Sequence, residues 1–327
     1  MAEIVDFHNH YYPPAYLEAL ARGSTALRVT EDDEGNPVIH YPGDYNVVVP
    51  GHRDLEVREE ALGLAGVDVQ VLTFTSPGTH VESPEIAARL ASTVNDALAR
   101  IVEERGDRFR ALATLPLNDP EASVRELERA MDDLGLPGAM LFSNVNGVPL
   151  ADPRYRPLWE AADEREAVLY IHPIHPLGVE AMTEYWLMPL VGFVADTTLA
   201  AAHLVFSGTV ERHPGIRWVL AHLGGTIPYL AERLDRGFEA FASCRREIER
   251  PPSDYLRRFW YDTVNFDPAC LELAAGFAGP GRLLAGSDYP HMIGSMAKMV
   301  ESVGRIDVSE EEREGILGGN ARALLGF

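Results

Sequence analysis

The stretch Ile4-Val5-Asp6-Phe7-His8-Asn9-His10 decides how the rest of the chain is read. Its first residues have the apolar, partly β-branched composition of a short strand, and that strand runs into a His-x-His pair. Two histidines two residues apart on extended backbone project from one face. Neutral imidazole is the commonest metal-binding side chain, so one inward-facing pair supplies half of a four-ligand site. Many such pairs simply lie on surfaces; this one gains weight from what lies downstream.

Seven further apolar runs follow, at Val69 to Thr73, Arg110 to Leu115, Ala139 to Phe142, Val168 to His172, Trp218 to Ala221, Trp260 to Val264 and Leu283 to Gly286. With Ile4 to Phe7 they make eight, each succeeded by a stretch of helical spacing. Near-continuous apolar strands alternating with amphipathic helices imply a parallel sheet covered on both faces. Eight units in one chain favour an α/β fold of the (β/α)8, TIM-barrel type over an open doubly wound sheet. No GxGxxG follows the first strand, which counts against dinucleotide binding. Ser83-Pro84-Glu85, Asp119-Pro120-Glu121 and Asp267-Pro268 place proline in first helical turns.

The chain therefore reads as one domain over residues 1–327, with an insertion at 11–50 after the first strand. Within it, Glu34-Gly35-Asn36-Pro37 turns a hairpin. Glu184 to Arg212 carries more helix than one barrel unit needs. Both excursions are expected over the mouth of the barrel or at a subunit contact.

Composition narrows the function. The chain has 327 residues, 46% of them hydrophobic and 24% charged, with a net charge of −22. That charge argues against nucleic acid and against anionic membranes as partners. It leaves room for a small acid as substrate, because a local cation outweighs a distant surface field. No apolar run is read as approaching the ~20 residues that span a bilayer. The first residues lack the basic and apolar regions of a signal peptide. Cys244 and Cys270 form neither a disulfide framework nor a CxxC site, so a reducing cytoplasm is the expected location.

Three more candidate ligands stand at the C-terminal ends of strands. His172 ends Val168-Leu169-Tyr170-Ile171-His172-Pro173, His222 ends Trp218-Val219-Leu220-Ala221-His222, and Asp288 follows Leu283-Leu284-Ala285-Gly286-Ser287. In a (β/α)8 barrel those ends converge on the face that carries the active site.

This ordered set resembles the amidohydrolase superfamily. The closer likeness is to its amidohydrolase-2 branch, which includes aminocarboxymuconate semialdehyde decarboxylase and related aromatic-acid decarboxylases. Gly66-Val67-Asp68-Val69-Gln70-Val71, Ala221-His222-Leu223-Gly224-Gly225, Arg250-Pro251-Pro252-Ser253-Asp254-Tyr255 and Gly286-Ser287-Asp288-Tyr289-Pro290 support it across nearly the whole chain. The resemblance implies that His8, His10, His172 and Asp288 bind the metal and that His222 is the catalytic histidine. Asp288 would also shuttle a proton. Three histidines and a carboxylate suit one divalent ion, Zn²⁺ first and Mn²⁺ second. The fourth strand, Gly138-Ala139-Met140-Leu141-Phe142, has no lysine to bridge a second metal.

A bound cation lowers the pKa of its water toward ~7 and stabilises developing negative charge. Those parts support a carboxy-lyase that removes CO2 non-oxidatively from a small planar aromatic or dienoic acid. The alternative on the same parts is a hydrolase of a C–N, C–O or activated C–C bond in a lactone, amide or ring-cleavage product. A non-catalytic metal-binding protein would need neither His222 nor Asp288. The pattern also departs from the semialdehyde decarboxylase. Asn46 falls where that enzyme has a substrate-gripping arginine, and Phe241 falls near the position of a second arginine; Arg233 is retained. An amide and a phenyl ring cannot make a bidentate carboxylate grip, so a less charged or differently held substrate is expected. His175, Trp186 and His291 are further candidates for substrate contact, with Tyr185 and Met188 beside Trp186. His40, His52, His80, His203 and His213 are read as structural or surface residues. The resemblance finally implies a homodimer, joined around Arg233 to Tyr255.

Overall fold

The run Val168–His172 folds as a fully buried strand, and its parallel neighbours set out the architecture. The computed structural model describes residues 3–23, 26–41 and 44–327. A six-stranded parallel sheet runs in the order Leu283–Leu284, Trp260–Asp262, Arg217–Leu220, Val168–His172, Gly138–Phe142 and Ala113–Thr114. A second parallel sheet orders Val5–Asp6, Val69–Leu72 and Phe109–Ala111. The protein is thus α/β, with parallel strands and helices between them, as the alternating pattern predicts.

The third apolar run is divided at Leu112, between Phe109–Ala111 and Ala113–Thr114, and its N–H completes the ladder to the Leu72 carbonyl at 3.1 Å. At the far ends the two sheets meet again. Phe7 N donates to Ala285 O at 2.7 Å, and the amides of Ser287 and Asp288 both reach His8 O. Parallel bridges join Asn9 to Tyr289 and His10 to Thr73. The strand ends that carry the histidines are therefore stitched to one another through backbone. Gly138 is required where two central strands approach, since a Cβ there would collide with the Val168 carbonyl.

Arg58 is fully buried without a carboxylate partner among the described residues. It donates to His10 O at 2.7 Å, Gly51 O at 2.6 Å, Asn9 Oδ1 at 2.5 Å and Gln70 Oε1 at 3.1 Å. The Tyr11 and Tyr289 rings flank it. Burial lowers its pKa to about 10, so it stays charged near neutrality. Its hydrogen bonds replace the solvation that burial removes and pin the backbone around His10.

Between Val5–Asp6 and Val69–Leu72 the chain forms the helix Pro14–Gly23 and a three-stranded antiparallel sheet, Arg28–Glu31, Pro37–Tyr41 and Asp44–Val47. Residues 24–25 and 42–43 of that stretch lie outside the described residues. The hairpin falls where its turn residues predict: the Asp32 carboxylate accepts from Glu34 N and Asn36 N, and Gly35 has a positive φ of 79°.

The segment after Glu184 corrects one expectation. Met188–Phe206 is helical over 19 residues with a mean hydropathy of 1.5, long and apolar enough by length and composition to cross a membrane. Asp196 within it is buried and accepts hydrogen bonds from Ser143 and Asn144, which ties the helix to the end of the Gly138–Phe142 strand. Its other face exposes Leu190, Val191 and Leu199.

Candidate metal centre

Each strand delivers its histidine at a carboxyl end, and backbone geometry there turns the rings toward one another. The ligand nitrogens of His8, His10 and His172 lie within 4.8 Å of one another, as do one ligand atom each from His8, His222 and Asp288. His10 Nε2 is 3.0 Å from Asp288 Oδ1 and 3.2 Å from His8 Nε2. His222, Leu223 and Asp288 all adopt positive φ, at 52°, 57° and 59°. Left-handed backbone is costly for side chains with a Cβ and concentrates where function needs it; here it aims the His222 and Asp288 side chains at the cluster.

Second contacts fix which nitrogen each ring offers. His8 Nδ1 is 2.7 Å from Asp262 Oδ2, which leaves Nε2 for the centre. His172 Nδ1 is 2.7 Å from Pro173 O, with the same result. Asp262 was missed by the sequence reading, although it closes an apolar run at a strand end as the ligands do. Fully buried, it also accepts from Tyr170 OH at 2.8 Å and from the amides of His222, Leu223 and Val264. Carboxylates that hold a ligating histidine in this way raise metal affinity by ~10–100-fold. Asp262→Asn is therefore expected to weaken metal binding by about that factor in a chelator competition, with helix content retained. Undiminished affinity would remove Asp262 from the centre.

The electrostatics suit a cation. Burial lowers His10 to about 3, His222 to about 4 and His172 well below its ordinary value, so all three are neutral at pH 7 with lone pairs free. Burial also works against charge on His8, but the Asp262 and Asp288 carboxylates outweigh it and raise that ring to about 10. Burial opposes ionisation of Asp288, yet hydrogen bonds with His10 and His8 hold it well below the usual carboxylate range. A cation entering at neutral pH must displace the His8 proton, which sits below its raised pKa and is therefore bound. Calorimetry in buffers of different ionisation enthalpy should then show close to one proton released per ion, with affinity climbing as pH rises. Heats independent of buffer would refute this.

The other candidates are distributed unevenly. His291 stands beside the cluster, its ring 4.6 Å from that of His10. Asn46 is half-buried and donates to Tyr12 OH at 2.7 Å. His175 is half-buried, and its carbonyl accepts from Asn144. The structure does not bring Trp186 or Arg233 to the cluster within this chain; Trp186 is 67% exposed and Arg233 lies on the exposed face of Ile227–Ala240. His52, read as structural, is buried with its ring 5.2 Å from His291 and neither nitrogen partnered, so it walls the same space. His80 is likewise buried, against Phe142, the residue in register with His172.

Comparison with known proteins places this geometry. The amidohydrolase family model matches residues 5–327. The chain is 36% identical over 278 residues to 2-amino-3-carboxymuconate-6-semialdehyde decarboxylase of Dictyostelium discoideum, covering 84% of this chain and 77% of that protein. The structure superposes with a TM-score of 0.88 on 5-carboxyvanillate decarboxylase from Sphingomonas paucimobilis, at 25% identity and 100% coverage of both chains. It superposes with a TM-score of 0.84 on a dihydroxybenzoic acid decarboxylase from Polaromonas that holds manganese and the inhibitor 2-nitroresorcinol, at 25% identity over 100% of this chain and 97% of that one. With the family model matched almost end to end, the chain belongs to the amidohydrolase family, in its amidohydrolase-2 branch.

Proposed function

We propose that the protein is a metal-dependent carboxy-lyase that removes CO2 non-oxidatively from a small planar aromatic or dienoic acid. The observation that carries this is the convergence of His8, His10, His172 and Asp288 with His222 at one set of strand ends. Three imidazole nitrogens and one ionised carboxylate fit a single divalent ion, read as Zn²⁺ first and Mn²⁺ second. Manganese in the Polaromonas relative supports a divalent ion of either kind. Held by these four residues, such an ion would supply electrostatic stabilisation of the negative charge that develops on the substrate as CO2 departs.

The chain's own residues supply the rest. His222, neutral and half-buried, accepts or returns a proton beside the reacting carbon, and Asp288 serves as a second proton carrier. One proton is delivered to the carbon that loses CO2, so the C–C bond is exchanged for C–H without change of redox state. The His291, His52 and Tyr12 rings form an aromatic wall suited to a planar substrate. Asn46 and His175 complete the proposed substrate contacts.

The same reading takes the two sheets as one closed (β/α)8 barrel in a single domain over 1–327, supported by the backbone bond from Phe7 to Ala285 and by the third apolar run, which passes from one sheet to the other through Leu112. The antiparallel sheet after the first strand is then its insertion. It also takes the protein as a homodimer that brings Arg233 and Trp186 to a neighbouring site. Exposed Tyr185, Trp186, Leu190 and Val191, with Tyr229 on the helix joined through Thr198 and Thr226 and Phe241 just past its end, support that pairing. Light scattering should give twice the 36.0 kDa chain mass; a monomer at micromolar concentration would refute the dimer.

The central test is product analysis. Metal-loaded protein incubated with mixed hydroxybenzoates, aminobenzoates and muconate-type acids should convert one class to products lighter by CO2. Conversion should stop when the metal is chelated. No such loss from any acid, with turnover of a lactone or amide instead, would replace the carboxy-lyase by the hydrolase.

A further inference from the structure

At the opposite edge of the sheet from the histidine cluster lies a cavity of about 160 Å³. Arg217 and Trp260 are the first residues of their strands and Arg282 directly precedes Leu283, whereas His222 and Asp288 follow the other ends. Arg217, Arg258 and Arg282 line the cavity with His213, Trp218 and Trp260. The Arg282 guanidinium lies 3.9 Å above the Trp260 ring, which fixes its plane. Burial, and then the neighbouring Arg258 charge, lower its pKa. Arg217 spends two donors on the carbonyls of Glu166 and Leu324. The side chains of Arg258 and Arg282 make no hydrogen bond, and none of the three arginines forms an ion pair among the described residues.

Acidic residues outnumber basic ones 50 to 28 in the chain, yet no carboxylate pairs with these three arginines among the described residues. Elsewhere its arginines repeatedly find carboxylates, as Arg105 does with Glu59, Arg129 with Glu126 and Arg165 with Asp132. His213 adds a second observation. It is 8% exposed and lines both this cavity and an adjoining one of about 270 Å³; in the same lining the indole N–H of Trp218 is buried without a hydrogen-bond partner among the described residues. Like charges gathered around a partly enclosed space repel one another more strongly than in water. An oxyanion placed among them removes that repulsion and uses the idle guanidinium donors as charge-assisted hydrogen bonds.

We propose that this cavity is a binding site for a compact oxyanion, a phosphoryl group or a carboxylate, held by Arg258, Arg282 and Arg217 at the face opposite the metal centre. The volume admits one such group, and the adjoining cavity has room for whatever organic part it carries. The site is independent of the carboxy-lyase reading, so failure of either leaves the other standing.

Trp218 and Trp260 are two of the chain's four tryptophans, which makes emission a direct probe. Inorganic phosphate and acetate are titrated separately into the metal-loaded full chain. A saturable change with Kd below ~1 mM is expected for at least one of them. Phosphate alone would identify a phosphoryl ligand, and acetate a carboxylate. Arg258→Gln and Arg282→Gln should each weaken that binding by roughly tenfold or more, while Arg22→Gln, on a remote exposed helix, should leave it unchanged. If Arg282→Gln fails to fold, Arg258→Gln carries the test alone. No saturable response to either anion by ~10 mM, or a response equal in the wild-type protein and the folded variants, would overturn the proposal.

Discussion

His10→Ala is expected to yield a folded protein that retains no metal and releases no CO2. His10 sits between two other members of the cluster: its Nε2 faces Asp288 Oδ1 at 3.0 Å and His8 Nε2 at 3.2 Å. Removing it takes away one of four donors. Loss of a merely supporting residue already costs ~10–100-fold in affinity, so loss of a ligand itself should exceed the upper end of that range. The fold should survive because the backbone at this position is held independently of the ring. His10 N donates to Tyr289 O at 2.8 Å, and His10 O accepts from Arg58. The ring is neutral and its Nδ1 has no partner, so no buried charge loses its only counterpart. Metal analysis after dialysis, CO2 release and circular dichroism together decide the matter. A variant that is folded, metal-loaded and fully active would take His10 out of the site.

What could be read from the sequence was whatever depends on period and position along a strand. His172 and His222 could be placed because an apolar run of known direction ends at each, and a parallel arrangement brings like ends to one edge. The helix starts were legible for the same local reason. Asp119 and Asp267 do cap their helices through the amides of Ala122 and Ala269, although Ser83 makes no such bond. Strand lengths were overestimated where side chains compete with the ladder. The Trp260 to Val264 run ends as a strand at Asp262, because that carboxylate takes amides of its own chain and of the preceding unit. Asp262, His52 and the buried Arg58 share one cause of invisibility. The partners that bring them to the centre, His8 for Asp262, His291 for His52 and Asn9 for Arg58, are 49 or more residues away, and no spacing within the local sequence encodes such contacts. The arginine-lined cavity escaped for a related reason: its three cations come from three separate units and meet only when strands align at their starts.

His222 should separate chemistry from metal binding. Its ring lies 4.9 Å from that of His8 and 5.3 Å from that of His172, close enough to serve the same substrate, and its Nδ1 is buried without a partner. Burial holds it neutral with a pKa of about 4, so at pH 7 it is a proton acceptor. His222→Ala is expected to keep the metal and lose turnover by ~10²–10⁴-fold, the range for removing a positioned acid–base group. Alanine brings a complication, because φ is 52° here and left-handed backbone costs a residue with a Cβ about 1–2 kcal/mol. Asparagine tolerates that conformation better and also lacks the imidazole. The backbone amide that donates to Asp262 is present in both variants. If both keep metal and lose turnover to the same degree, the lost function is proton transfer by the ring. If His222→Asn regains turnover that His222→Ala lacks, the defect lies in backbone geometry, and another titratable group at this centre, Asp288 or His291, must move the proton.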